Sequence, residues 1–106
     1  NLRAAAAGEH EEWVDDYPKF ADIAAEEGFP AIAAMYRNIA IAEKGHEERY
    51  LDLLKNVEEG TVFKKDGKVF WQCRNCGYII EAEEAPKACP ACLHPQSYFE
   101  VQKENY

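Results

Sequence analysis

Four cysteines, Cys73, Cys76, Cys89 and Cys92, constrain this chain more than any other feature. They are its only cysteines, and they form two Cys-x-x-Cys pairs with twelve residues between them. Two such pairs can set four thiolates at the corners of a tetrahedron, the geometry wanted by Zn²⁺ or by a single iron. In Cys73-Arg74-Asn75-Cys76-Gly77-Tyr78, Gly77 can take the positive φ that wraps backbone tightly round a sulfur. The second pair reads Cys89-Pro90-Ala91-Cys92. Backbone N–H groups aimed at sulfur in such turns stabilise thiolate charge. A structural zinc ribbon and a redox-active iron site both satisfy the spacing. Two disulfides would need an oxidising compartment, and nothing in the sequence suggests export.

At 106 residues there is room for one ordinary domain or for two small units that each need help. A ribbon of about 40 residues cannot bury enough apolar surface to fold alone and would lean on its metal. The formal net charge of −8 argues against nucleic acid as a partner, since phosphate neutralisation needs clustered Lys and Arg. No apolar run approaches the ~20 residues of a membrane span, and no signal-peptide pattern is present. Reduced cysteines without an export signal point to the cytoplasm. The chain opens without Met on Asn1-Leu2-Arg3-Ala4-Ala5-Ala6-Ala7, which reads as a helix already under way. The expectation is the C-terminal portion of a longer polypeptide.

Helix-forming sequence runs from Leu2 to about Glu27 and stops at Gly28. Pro18 disfavours α conformation at Tyr17, so a kink or short break is expected there. Pro30 suits the first turn of a second helix that reaches about Glu58 and ends at Gly60. Val62–Trp71 looks like a hairpin turning on Asp66-Gly67, with Tyr98–Val101 as a closing strand. The expected division is therefore a helical hairpin over residues 1–60 and a metal-binding ribbon over 61–106.

In the second helix Ile32, Tyr36, Ile39, Glu43, His46, Tyr50, Leu53 and Val57 follow at alternating spacings of four and three, the inward seam of a bundled helix. Glu43 and His46 thus occupy core positions. A lone buried Glu would cost several kcal/mol or stay protonated; a Glu and a His one turn apart read instead as a metal pair. The first helix repeats the anomaly, with Leu2, Ala6, Glu9, Trp13, Asp16, Phe20 and Ile23 as its stripe and Glu12 one turn beyond Glu9. Ferritin-like di-iron bundles draw one Glu from each of two helices and Glu-x-x-His from each of two others. This chain supplies one helix of each kind, half a site. Glu26, Glu27, Glu47, Glu48, Glu58 and Glu59 read as a solvated face, His10 as surface, and His94 as a packing residue.

Ala7-Gly8-Glu9-His10-x-Glu12, Tyr17-Pro18-x-Phe20, Ala42-Glu43-x-x-His46-Glu47 and Asn56-Val57-x-Glu59-Gly60 resemble the helical half of the rubrerythrin family. Cys73-Arg74-Asn75-Cys76-Gly77-Tyr78 and Cys89-Pro90-Ala91-Cys92-x-His94-Pro95 resemble its C-terminal rubredoxin-like domain. The resemblance implies half of a ferritin-like four-helix bundle followed by a rubredoxin-like iron ribbon. It further implies a non-haem di-iron peroxidase that reduces hydrogen peroxide to water, fed with electrons through the four-cysteine iron. By position Glu9, Glu43 and His46 would ligate the dinuclear site, with Glu43 bridging. Glu12 would bind one iron in the oxidised state and release it on reduction, and Tyr17 would hydrogen-bond around the ligands. A redox donor such as rubredoxin or a reductase is implied as partner, and zinc is a possible substitute in either site. The family's first two helices are absent, so a separate fragment or a second copy of the hairpin must complete the bundle. A zinc-ribbon interaction module on a helical hairpin, or ferritin-like iron handling, are the competing readings. Finally, Glu43 and His46 precede the helix end near Glu58 by roughly 20 Å of helix. That distance makes electron transfer within one chain slow and predicts a head-to-tail homodimer.

Overall fold

The computed structural model describes all 106 residues, which divide into two compact units, Asn1–Lys55 and Asn56–Tyr106. No helix is long and apolar enough to cross a membrane.

The helical unit begins with α1 (Leu2–Glu11), passes through a π-helical turn over Glu12–Asp16, and continues as α2 (Tyr17–Glu26). The interruption expected at Tyr17 therefore lies one turn upstream. Pro18 has no N–H to offer the carbonyl of Val14, and its ring crowds that same oxygen. The preceding turn widens in response, so that the Tyr17 N–H bonds to the Glu12 carbonyl five residues back. One consequence is a slip of the inward stripe. Ala6 is buried ahead of the π turn, but beyond it the buried positions are Ala21 and Ala24, whereas Phe20 and Ile23 are exposed. Tyr17, and not Asp16, continues the inner face, stacking on Tyr36 at 5.9 Å between ring centroids.

The chain reverses at Gly28, where Phe29 N–H donates to Ala24 O (2.8 Å) and Gly28 N–H to Ala25 O (3.1 Å). Pro30 then opens α3 (Pro30–Glu59), and the two helical arms form a hairpin. Its core is thin: Ala21, Ala24 and Ala33, with Tyr36 packed against them. Small residues let two helices approach closely, yet each helix has only one neighbour. Seam residues of α3 consequently stay open to solvent, with Ile32, Leu53 and Val57 exposed.

The second unit is a three-stranded antiparallel sheet of order β2-β1-β3, from β1 (Lys64–Cys73), β2 (Ile79–Glu84) and β3 (Phe99–Val101). The expected hairpin on Asp66-Gly67 does not form. β1 runs through both residues, and Gly67 takes a φ of +100° inside it. Between Lys64↔Glu84 and Val69↔Ala82, β1 advances five residues while β2 advances two. The Asp-Gly signal is thus spent on a bulge. The real hairpin turn is the first cysteine pair. Alternation along β1 sends Val69, Trp71 and Cys73 inward, and Trp71 (1 % exposed) centres a core with Cys73, Ala85, Cys89 and Phe99. The indole N–H of Trp71 is satisfied by the carbonyl of Ala82 at 3.0 Å.

Candidate metal centres

The two cysteine pairs sit on turns built alike. Gly77 N–H donates to Cys73 O and Leu93 N–H to Cys89 O, at 2.8 and 2.9 Å. Cys73 N–H donates to Tyr78 O and Cys89 N–H to His94 O, at 2.9 and 2.8 Å. Both turns need a left-handed residue after the second cysteine: Gly77 at φ +83° and Leu93 at φ +64°. Glycine adopts this freely, but leucine does so against its own Cβ, so the second turn holds Leu93 in a costly conformation.

These turns bring the four sulfurs within 4.8 Å of one another. Cys73 Sγ lies 3.7 Å from Cys92 Sγ, and Cys76 Sγ lies 3.7 Å from Cys89 Sγ. All four cysteines are free, and each close contact joins one pair to the other. Sulfurs about 2.3 Å from a central ion would be separated by about 3.8 Å, so the cage fits a tetrahedral metal. The electrostatics agree. The backbone N–H of His94 draws the Cys92 thiol down to about 6, against the effect of burial. At Cys76 the N–H of Tyr78 also lowers the pKa, but burial and the three neighbouring sulfurs outweigh it and push the thiol up to about 12. A cation at the centre of the cage would offset the mutual repulsion of thiolates held this close. His94 is a packing residue, its ring 4.5 Å from that of Tyr98.

In the helical unit, Glu9 from α1 meets Glu43 and His46 from α3, with potential ligand atoms of all three within 4.8 Å. His46 Nδ1 is 2.6 Å from Glu43 Oε2 and 3.6 Å from Glu9 Oε2. Glu9 Oε2 is buried and has no hydrogen-bond partner, which is costly for a carboxylate oxygen. Burial first, and then the adjacent Glu43 carboxylate, hold the Glu9 pKa above its ordinary value, with Glu12 adding to the effect and His46 opposing it. A cation seated among the three would satisfy the orphan oxygen and relieve the crowding of the two acids. The residues fit a metal.

Glu12 stands outside this trio, although close enough to raise both Glu9 and Tyr17. Tyr17 makes ring contacts with Tyr36 and Phe20, and burial ahead of Glu12 and Glu43 holds its hydroxyl above its usual ionisation range. One expectation fails here. Glu47 is not on a solvated face: its side chain is 17 % exposed and accepts from Trp13 Nε1 and His10 Nδ1. His10 lies at the surface as expected, 55 % exposed, and reaches Glu47 from there. Donation from Trp13 first, then His10, keeps Glu47 below the usual carboxylate range despite burial. The available signal was positional, since Trp13 and Glu47 each follow an inward Glu by four residues. Glu26, Glu27, Glu48, Glu58 and Glu59 are exposed, as the sequence suggested.

His46, expected at a core position, is 56 % exposed, because no helix covers that side of the hairpin; only Glu9 and Glu43 of the trio are largely buried. A two-helix hairpin that gathers this Glu/His trio, followed by a small sheet closed round four thiols, defines a metal-binding protein. It joins half of a ferritin-like bundle to a rubredoxin-like ribbon. Comparison with known proteins agrees. A rubrerythrin family model matches residues 1–54, and the rubredoxin-like domain model of rubrerythrin matches residues 71–100. Rubrerythrin from Porphyromonas gingivalis is 62 % identical over all 106 residues, which cover 53 % of that relative. Rubrerythrin-1 from Clostridium acetobutylicum is 61 % identical, also over the whole chain and 54 % of its own length. Nigerythrin in a mixed-valence state is 33 % identical with a TM-score of 0.52, over 95 % of this chain and 48 % of that one. The chain belongs to the rubrerythrin family, whose members are typically oxidoreductases and bind iron through a four-cysteine domain. It spans about half the length of the curated relatives it matches.

Proposed function

We propose that this chain is the hairpin-and-ribbon portion, residues 1–60 and 61–106, of a cytoplasmic non-haem di-iron peroxidase. The reaction is H₂O₂ + 2 H⁺ + 2 e⁻ → 2 H₂O. The observation that carries the reading is the presence in one chain of two donor clusters of different chemistry: Glu9, Glu43 and His46, and the four thiols. When bound, a pair of ferrous ions supplies the two electrons that peroxide consumes. Glu9, Glu43 and His46 would hold the ions, the role of bridge falling to Glu43; Glu12, outside the trio, would be the carboxylate free to engage or withdraw; Tyr17 would orient the carboxylates from the stacked Tyr36 side. Cys73, Cys76, Cys89 and Cys92 would hold the iron that takes electrons from a donor such as a rubredoxin or a reductase.

The ligand set is completed by the missing helical half or by a second hairpin, over the seam that Ile32 and Leu53 leave uncovered. We place the productive unit as a head-to-tail homodimer in which electrons cross between subunits. Replacing Glu43 by Ala is expected to abolish dinuclear binding and turnover of the completed enzyme while leaving the four-thiolate spectrum intact; unchanged turnover would defeat the assignment. Mixing a variant lacking Cys73 and Cys76 with Glu43→Ala is expected to restore turnover. No recovery after verified subunit exchange would contradict the intersubunit route.

The sulfur geometry suits zinc equally, and this supports a second reading, a zinc-ribbon interaction module on a helical hairpin without catalysis. A ferric four-thiolate site makes the protein red. Colourless protein carrying only stoichiometric zinc after expression with iron would favour the module.

A further inference from the structure

Glu47 collects a polar tie between the two arms that lies beside the Glu/His trio without belonging to it. Its two oxygens are 3.0 and 3.1 Å from His10 Nδ1, and Trp13 Nε1 donates to the same carboxylate. The His10 ring meets the Trp13 ring edge-on at 5.4 Å, and Lys44 Nζ lies 5.6 Å from the Trp13 ring centroid. The cluster is in register with the candidate ligands. His10 follows Glu9, and Glu47 follows His46. Trp13 lies one turn beyond Glu9, and Glu47 one turn beyond Glu43. Trp13 also falls inside the π turn, where the i→i−4 ladder gives way to i→i−5 bonds. Its bond to Glu47 ties that turn to the opposite helix. Charge-assisted bonds to a half-buried carboxylate are the stronger and more directional kind.

We propose that Glu47 is a positioning residue: by clamping Trp13 and His10 it fixes how α1 faces α3, and so the spacing at which Glu9 meets Glu43 and His46. This rests on the reading of those three as metal ligands. Glu47 touches neither metal nor substrate; it acts through the helix register. The loss expected from Glu47→Ala is about tenfold in metal affinity at the Glu/His site, the low end of what outer ligand-orienting groups contribute. Trp13→Phe, which removes the indole donor, should give a similar loss. The double variant should be little worse than either single one, because both break one tie. Glu47→Gln keeps an acceptor for Trp13 and should recover most of the affinity.

The test titrates cobalt(II) into this chain with its bundle completed, after the four-thiolate site is filled, and follows the visible absorption of the Glu/His class. The Trp13 indole N–H resonance reports the clamp without metal and should move upfield in Glu47→Ala. Ala24→Gly, a buried site at the far end of the hairpin, serves as a control that loosens packing and leaves the clamp intact. A tenfold loss in Glu47→Ala and Trp13→Phe, absent from Ala24→Gly and rescued in Glu47→Gln, supports the proposal. Unchanged affinity in Glu47→Ala, or an equal loss in Ala24→Gly, overturns it while the ligand reading stands. No Glu/His class in the unsubstituted protein overturns both.

Discussion

The two units gather metal-ligating side chains from opposite starting points. The ribbon owns a core of large side chains, Trp71 and Phe99 among them, and all four of its donors come from turns that repeat the same hydrogen bonds. The hairpin has a core of three alanines and a half-set of donors, with seam residues such as Leu53 and Val57 open. One set of donors is complete within its own fold; the other, on the proposed reading, takes further ligands from helices outside this hairpin. The contrast teaches that a local motif can be read and built locally, whereas a bundle site is defined by neighbours that need not be in the same segment.

The largest effect that would break this contrast is metal removal. Stripping the four-thiolate ion should unfold the ribbon, because so small a core depends on the binding free energy. The helical far-UV signal should persist while the near-UV signal of buried Trp71 is lost. A ribbon that keeps Trp71 packed without metal would show that the core suffices alone. Next in size is Trp71→Ala, expected to destabilise the ribbon by about 3–5 kcal/mol in denaturant melts of the metal-loaded protein. Ala24→Gly in the hairpin should cost only about 1 kcal/mol. Comparable losses would erase the distinction between a large-residue and an alanine core.

What the sequence disclosed follows the same division. The cysteine spacing located its site outright, and Gly28, Pro30 and Gly60 marked the ends of the helical arms. Periodicity placed Glu9, Glu43 and His46 together. It failed beyond Trp13, because Pro18 acts on the carbonyl four residues before it and the π turn rotates everything that follows. Asp66-Gly67 misled for a related reason: a turn dipeptide and a bulge dipeptide require the same backbone freedom, and only the register with β2 separates them. Leu93 hid the likeness of the two cysteine turns, since a leucine does not announce a positive φ. Glu47 was hidden by abundance, one acid among many on a charged helix.

Glu9 in the hairpin and Glu84 in the ribbon should answer pH with opposite signs, Glu47 in the hairpin acting in the same sense as Glu84. Glu9 has a raised pKa in the folded, metal-free hairpin, so its contribution is present below its ordinary value of 4.5 and lost as pH rises through the higher folded value. Glu84 in the ribbon is lowered by Lys87 first and Gln96 further on, so its contribution is present above 4.5 and lost as pH falls through the lower folded value. Separate monitoring of helix melting and Trp71 fluorescence between pH 3 and 7 on the order of one-unit steps tests this, with Glu9→Gln and Glu84→Gln each flattening one profile. Changes of the same sign in the two variants would contradict it. The smallest expected effect is Leu93→Gly, which relieves the left-handed strain but adds unfolded-state freedom, leaving a net gain of about 0.5 kcal/mol. A measurable loss would mean that the Leu93 side chain packs usefully despite being 79 % exposed.

The most direct test of the central claim is a metal count by Mössbauer spectroscopy on iron-loaded protein, for this chain alone and with its bundle completed. The account predicts one four-thiolate iron per chain under both conditions. A second class with oxygen and nitrogen ligands should appear only when helices from outside complete the hairpin or when two copies pair, and Glu43→Ala should remove it. A monomeric chain that binds the second class just as tightly, or a completed bundle that never shows it, would contradict the account.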